Sequence, residues 1–222
     1  MKMDPHIHSI YSGDSDSQIT DILKQSEKIG LNAIAISDHN TIKGSKIAIE
    51  KSKDMDIVVV PSIEISTLYG HMLGLGATEE IPRDLSAIET VERIHDAGGL
   101  AVVPHPYSYY RHGLFTKSDD NLNIDGIEVK NARYILGYSN RKGKILSKRR
   151  NIPEFGSSDA HFIAAIGDCY TEIDCEANVD DILDAIVKNK TKAVSGKTSN
   201  VRIFSNIIRR KRIGPVIPDE EK

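Results

Sequence analysis

With 222 residues, 39% of them hydrophobic and 27% charged, the chain is long enough to bury one large core and has the balance of an ordinary globular protein, which excludes a disordered or membrane-embedded class. A formal net charge of −3 gives no global basic footprint for nucleic acid, so any such role has to be local. Cys169 and Cys175 form no C-x-x-C pair, no run approaches the roughly 18 apolar residues that span a bilayer, and the start lacks the apolar core of a signal peptide, so the cytoplasm is the default compartment, with no membrane partner.

A short extended segment opens the chain, and residues 17–30 then carry Ile19, Ile22, Leu23 and Ile29 at helical spacing ended by Gly30. LNAIAIS (31–37) reads as a buried strand, 43–53 as a helix and DIVVVP (56–61) as a strand. IEIS and HMLGLGA are extended pieces around the Tyr69-Gly70 turn. Leu85, Ile88, Val91 and Ile94 mark a helical face that stops at Gly98-Gly99, and LAVVP (100–104) follows as a core strand. Downstream, 125–131 is extended, 136–148 helical, PEFGSSD a short strand and turn, and 179–188 helical before KAVSG. Repeated βα units favour parallel strands with helices outside, in a barrel or a doubly wound sheet.

Residues 106–123 break this rhythm and are longer than most connections, as lids often are. Near the end, Ile203, Phe204, Ile207 and Ile208 share a helical face ahead of Arg209 to Arg212, which reads as a closing helix with cations at its C-terminal end. SGKTS (195–199) lacks the upstream glycine of a phosphate-binding loop. His95 suits the end of its helix better than catalysis.

Six of the eight histidines fall at ends of predicted strands beside acidic residues. His6 and His8 flank Ile7, and residues two apart on an extended segment point to one face. His39 follows its strand in Asp38-His39-Asn40, Glu64 ends the strand after Pro61, His71 begins the next, His105 follows LAVVP, and Asp159 and His161 repeat the i, i+2 spacing. In a parallel α/β barrel such positions converge at the strand C-termini, where active sites are built. Asp4 and Asp38 stand next to histidines, as carboxylates that orient imidazoles or as solvated strand-end carboxylates.

DPHIHSIYSGDS, AISDHNTIKG, PSIEIS, GHMLGLG, VVPHPY and GSSDAH resemble, in order, the successive metal-binding motifs of the PHP (polymerase and histidinol phosphatase) superfamily, over roughly the first 170 residues. Length and the lack of a dividing linker point to one domain over residues 1–222, and the resemblance implies that it is a distorted (β/α)7 TIM-like barrel. It also implies two to three divalent ions drawn from zinc, manganese or iron. Carried over by motif, His6 and His8 bind a first metal with Glu64 and Asp159. Glu64 bridges to a second held by His71 and His105, and His39 and His161 bind a third. Ser12-Gly13-Asp14 replaces the usual Ser-Asp-Gly, which makes Asp14 the third site's carboxylate, with Asp16 as the alternative. Pro5 also departs from the pattern but removes no ligand.

Imidazoles and carboxylates without thiolate accept zinc or manganese, and a cation pair supplies hydroxide at neutral pH while clamping the phosphoryl oxygens. The resemblance therefore implies a phosphoesterase acting on a phosphate monoester or nucleotide-type phosphate; from their own positions, Arg111 and His112 in the irregular loop and Arg133 after the strand 125–131 are candidate phosphate contacts, with solvated surface residues as the alternative. Small phosphorylated substrates are favoured over nucleic acid. The alternatives are a trimming nuclease, a metal-dependent amidohydrolase, for which Lys130 is the only candidate bridging lysine, and a non-catalytic PHP module.

Overall fold

Residues 33–36 are buried on both faces, and their alternation feeds two cores: Ile34 and Ile36 join one apolar cluster while Ala33 and Ala35 join another. That pattern belongs to a strand with helices on one side and a second sheet on the other. The computed structural model describes residues 1–115, 122–133, 138–194, 196 and 217–219. In chain order the elements are β1 (Lys2–Ile7), α1 (Ile19–Lys28), β2 (Ala33–Ile36), α2 (Lys43–Lys51), β3 (Val58–Val60), β4 (Glu64–Ser66) and β5 (His71–Leu75). They continue with α3 (Ala87–Asp96), β6 (Leu100–Val103), β7 (Gly126–Asn131), α4 (Tyr138–Arg150), β8 (Glu154–Ser157), β9 (Tyr170–Ile173), α5 (Val179–Val187) and β10 (Thr191–Val194).

These strands form two five-stranded sheets, ordered β10-β9-β1-β2-β3 and β4-β5-β6-β7-β8. The expected run of parallel strands holds for β1/β2, β2/β3, β6/β7 and β7/β8. The pairs β1/β9, β9/β10, β4/β5 and β5/β6 are antiparallel instead. For β4 and β5 the reason is length, since the link Thr67–Gly70 is far too short for a parallel crossover of about a dozen residues. It closes as a tight turn, with Thr67 N–H and Oγ both donating to the Gly70 carbonyl. Isolated parallel bridges, Ile7 with Ala160 and His39 with Glu64, join the two sheets at their seams. No single hydrogen-bonded ring runs through all the described strands.

The sheets share an interior. Met3, Ala33 and Val60 from one meet Leu73, Leu75, Val102 and Phe155 from the other, and Ile182 and Ile186 of α5 cover this cluster. Helix α3 packs Val91 and Ile94 on the second sheet and starts with a capping box in which Ser86 and Glu89 satisfy each other's backbone N–H. Pro5 lies inside β1, whose register against β2 slips between Asp4 and Ile7, an irregularity suited to a strand residue with no N–H to donate. The proposed closing helix and its Arg209 to Arg212 run lie outside the described residues, as do residues 116–121 of the expected lid. Among the described residues, no helix is long and apolar enough to cross a membrane.

Candidate metal centre

Strand ends and the loops after them bring the predicted residues to one place. His6 comes from the end of β1 and His8 from just beyond it, and the two Nε2 atoms stand 3.0 Å apart. The loop after β2 carries His39, β4 begins with Glu64, and β5 begins with His71. His105 follows β6, and Asp159 and His161 follow β8. A short 3-10 turn, Ile10–Ser12, ends on Gly13 in the left-handed region (φ 78°), and this reversal delivers Asp14 to the same cluster. The one-residue displacement in Ser12-Gly13-Asp14 is thereby absorbed. Asp14, rather than Asp16, groups with His8, His39 and His161.

Glu64 is the hub. Its Oε1 lies 3.0 Å from His71 Nδ1 and 3.1 Å from His105 Nε2, while its Oε2 lies 3.2 Å from each of His6 Nε2, His8 Nε2 and His39 Nδ1. A carboxylate offers about four lone-pair positions, so five imidazoles cannot all be satisfied as donors to it. Asp159 Oδ1 approaches His8 Nε2 at 3.6 Å and His6 Nε2 at 4.0 Å. Asp14 Oδ2 is 2.8 Å from His161 Nε2 and 3.4 Å from His39 Nε2. All these side chains line a cavity of about 150 Å³, apart from the fully buried His6.

The donor set fits divalent cations. His39 Nδ1 is buried and makes no hydrogen bond although Glu64 Oε2 is 3.2 Å away. The Nε2 atoms of His6 and His8 face each other at 3.0 Å, a separation at which a cation could take a lone pair from each in place of a proton. Burial opposes charge on Glu64, but His6, His39 and His71 outweigh it and hold the carboxyl well below its ordinary range. Burial likewise opposes charge on Asp159, where Arg111, His6 and Arg133 outweigh it. His6 is held well above the usual imidazole value because Asp159, Glu64 and Glu128 overcome its burial. His8 is pushed down to about 3 by burial and by His161. The pocket is thus a field of ionised carboxylates around nitrogen donors, which N/O-binding ions such as zinc or manganese suit.

Glu128 was not legible as a site residue. Fully buried on β7, its Oε1 accepts from His6 Nδ1 at 2.8 Å and Ser157 Oγ at 2.5 Å, and its Oε2 from His105 N–H at 2.6 Å and Asn131 Nδ2 at 2.9 Å. The bond to Glu128 holds a proton on His6 Nδ1, so Nε2 is the nitrogen whose proton a cation would replace. The available signal was a carboxylate amid the apolar residues of GIEV, since buried acids are rarely without a task. Ser12 was missed too: its Oγ lies 2.8 Å from His8 Nδ1 and accepts from His39 N–H at 3.2 Å.

Asp4 and Asp38 do not orient imidazoles. Asp4 accepts from the N–H groups of Ser158 (3.1 Å) and Gly167 (2.9 Å), and Asp38 from Ser9 N–H and Oγ at 2.6 Å each. They pin the loops that carry the ligands. His95 is also away from the site, bonded to Asp125 at 2.7 Å.

Arg111 and Arg133 reach the cavity, and both bond Asp159: Arg111 Nη2 to Oδ2, and Arg133 Nη1 to Oδ1 at 3.3 Å. Asn131 ties them together. Its Oδ1 accepts from Arg111 Nη1 (3.1 Å) and Arg133 N–H (3.0 Å), while its Nδ2 donates to Glu128 and, at 3.0 Å, to Asp159. His112 adopts the left-handed region, accepts His71 N–H through its carbonyl at 2.8 Å, and stacks its ring on His71 at 5.4 Å. Lys130 is outside every candidate ligand group and lies close enough to Lys144 of α4 to depress that lysine's pKa after burial has done so.

The family model for the PHP domain matches residues 4–143. The chain belongs to the PHP family. A second model, for a PHP-associated segment, matches residues 137–191. Two uncharacterized proteins of Methanocaldococcus jannaschii are similar to it. One is 41% identical over 150 residues, 63% of this chain and 87% of its own length. The other is 30% identical over 217 residues, 94% of this chain and 86% of its own. A phosphoribosyl 1,2-cyclic phosphate 1,2-diphosphodiesterase of Eggerthella lenta is 34% identical over 100 residues, 41% of this chain but only 37% of that enzyme.

The fold resembles a two-domain protein containing a predicted PHP-like metal-dependent phosphoesterase from Bacteroides vulgatus (TM-score 0.76, 18% identity, covering 88% of this chain and 65% of that one). It also resembles Endonuclease Q, solved with duplex DNA bearing an abasic lesion (TM-score 0.65, 18% identity, covering 83% and 56%). At these identities the likeness speaks for the fold. The PHP superfamily is one of metal-dependent phosphoesterases and nucleases, and this chain carries clusters able to hold metal.

Proposed function

We propose that this PHP chain hydrolyses a small phosphate ester at a multinuclear divalent-metal centre. In this reading the two sheets, bridged at both seams, are the halves of a distorted (β/α)7 barrel. His6, His8, Glu64 and Asp159 hold one ion, Glu64 with His71 and His105 a second, and Asp14, His39 and His161 a third, the metal being zinc, manganese or iron. The observation that carries the reading is Glu64, one carboxylate with His71 and His105 nitrogens on one oxygen and those of His6 and His8 on the other, all at 3.0–3.2 Å, as a carboxylate shared by two ions would have them.

When bound, such ions polarise a phosphoryl oxygen and bring the pKa of water towards neutrality. The chain's own residues do the rest. Arg111 and Arg133 present guanidinium groups to phosphate oxygens, and Asn131 sets their spacing. Glu128 keeps His6 in the tautomer that donates through Nε2, and His112 buttresses His71. Lys130, placed near α4, argues against an amidohydrolase with a metal-bridging lysine.

The test is elemental analysis of the purified chain joined to a phosphatase screen. The expected result is two to three divalent ions per chain, phosphate release that follows occupancy, and loss of both in Glu64→Gln. One ion or fewer after reconstitution, or full occupancy without turnover of any phosphate ester, overturns it.

A further inference from the structure

Beside the 150 Å³ chamber lies a second, larger cleft of about 900 Å³, and His71 and His112 line both. The two spaces differ in chemistry. The chamber is walled by imidazoles, carboxylates and two guanidiniums. In the cleft, Leu114 and Phe115 come from the buried core, and the link between β4 and β5 supplies Tyr69. Tyr109, in the 3-10 turn that ends on Arg111, also lines it. Tyr69 is 71% exposed and Tyr109 77%, so each spends a large π-surface on solvent at the mouth of the cleft. Exposed aromatics around a concave, partly apolar space mark a place for a ligand. The charge available there is small, because the cleft's arginine, Arg83, directs its Nε to Asp84 at 2.8 Å.

Resting on the phosphoesterase reading above, we propose that this cleft receives the leaving-group side of the ester and selects a flat aromatic group, such as a nucleobase, by stacking on Tyr69 and Tyr109. The phosphate enters the chamber and the alcohol that bears it crosses the His71–His112 wall. Ring stacking is tolerant of which base is presented, because every base has a π-face. The selection therefore falls on aromatic over aliphatic esters, and only weakly among bases. Tyr109 also couples the two compartments, since the same short turn places Arg111 on Asp159.

Adenosine 5′-monophosphate and ribose 5-phosphate share the same primary phosphate ester and differ in the base, so they isolate the cleft from the chemistry. The full chain loaded with manganese is expected to show a kcat/KM at least about ten-fold higher for the nucleotide, the lower range of base stacking on one aromatic ring. The double variant Tyr69→Ala/Tyr109→Ala is expected to bring that ratio to within about three-fold, with the metal content unchanged, and Tyr69→Phe/Tyr109→Phe to restore it, since phenylalanine keeps the stacking face. A wild-type ratio below about three-fold, or a ratio that neither substitution moves, overturns the proposal. Equilibrium dialysis of the same two ligands reads the same ratio without turnover. A chain that binds the nucleotide ten-fold more tightly and cleaves neither supports the cleft and removes the phosphoesterase reading, whereas equal binding and equal cleavage do the reverse.

Discussion

Replacing Glu128 by glutamine tests whether the metal centre depends on a proton on the far side of the His6 ring. The carboxylate accepts four hydrogen bonds, two on each oxygen. A glutamine has one accepting oxygen, and the cheaper placement keeps it on the His105 N–H and Asn131 side, because turning it the other way sets its NH2 against two donors. Its NH2 then faces His6 Nδ1 and Ser157 Oγ. The hydroxyl accepts readily, but His6 must give up its Nδ1 proton and carry one on Nε2, the atom 3.0 Å from His8 Nε2 and 3.2 Å from Glu64. The nitrogen that pointed at the metal becomes a donor.

Exchanging charge-assisted for neutral hydrogen bonds costs about 1 kcal/mol each, so about 4 kcal/mol bounds the loss of folding stability, and the relief of burying no charge reduces it. Metal affinity falls further relative to its scale, by about 10- to 100-fold, as for other residues that orient a ligating histidine. Competition with a chromophoric chelator measures the affinity, and 15N chemical shifts of the His6 ring report the tautomer. Wild-type affinity in a variant that still carries its proton on Nδ1 would refute the reasoning.

Arg111→Ala and Arg133→Ala are each expected to lower kcat/KM by ten-fold or more without releasing metal, read as kinetics against elemental content; unchanged kinetics in both make the arginines bystanders. Stripping metal with a chelator is expected to lower the melting temperature by about 5–10 °C, since ligand at about 100 times its Kd adds about 2.7 kcal/mol to a domain of this size. An unchanged transition in calorimetry counts against a site formed only in the folded chain. A 5′-phosphorylated oligonucleotide is expected to be a poorer substrate than a mononucleotide at physiological salt, because a net-acidic chain whose longest basic run is the four residues Arg209 to Arg212 has little with which to neutralise a long phosphate backbone. The oligonucleotide prevailing, and losing its advantage when that run is neutralised, reverses the assignment.

The residues that gather around Glu64 were legible as a group because each stands at a strand end with a short, recognisable neighbourhood. Direction was not legible. A period of two marks β4, β5 and β6 as strands but says nothing about which way each runs, so the antiparallel pairs appeared only in the structure. Strand β9 escaped notice because Tyr170–Ile173 mixes Thr and Glu with Tyr and Ile and shows no apolar run of the kind that marks β2, β3 and β6. Arg111 and Arg133 were placed near the substrate by their loops, yet their attachment to Asp159 spans 48 and 26 residues and leaves no local trace. Asp38 looked like a partner of His39 beside it, but adjacent side chains on an extended backbone face opposite ways, and it found the Ser9 N–H and hydroxyl instead; Asp4, two residues before His6, is taken up by the N–H groups of Ser158 and Gly167.

Asp159 is shared. Its two oxygens are engaged by two guanidiniums while it stands within 4.0 Å of the imidazoles of His6 and His8. Whatever draws Arg111 and Arg133 towards a phosphate leaves that carboxylate richer in charge for a cation, and whatever cation takes the carboxylate loosens the arginines for a phosphate. Reciprocity makes the two effects one number: the factor by which an anion tightens metal binding equals the factor by which metal tightens the anion. A small inorganic anion, with no bond to break, is enough to measure it.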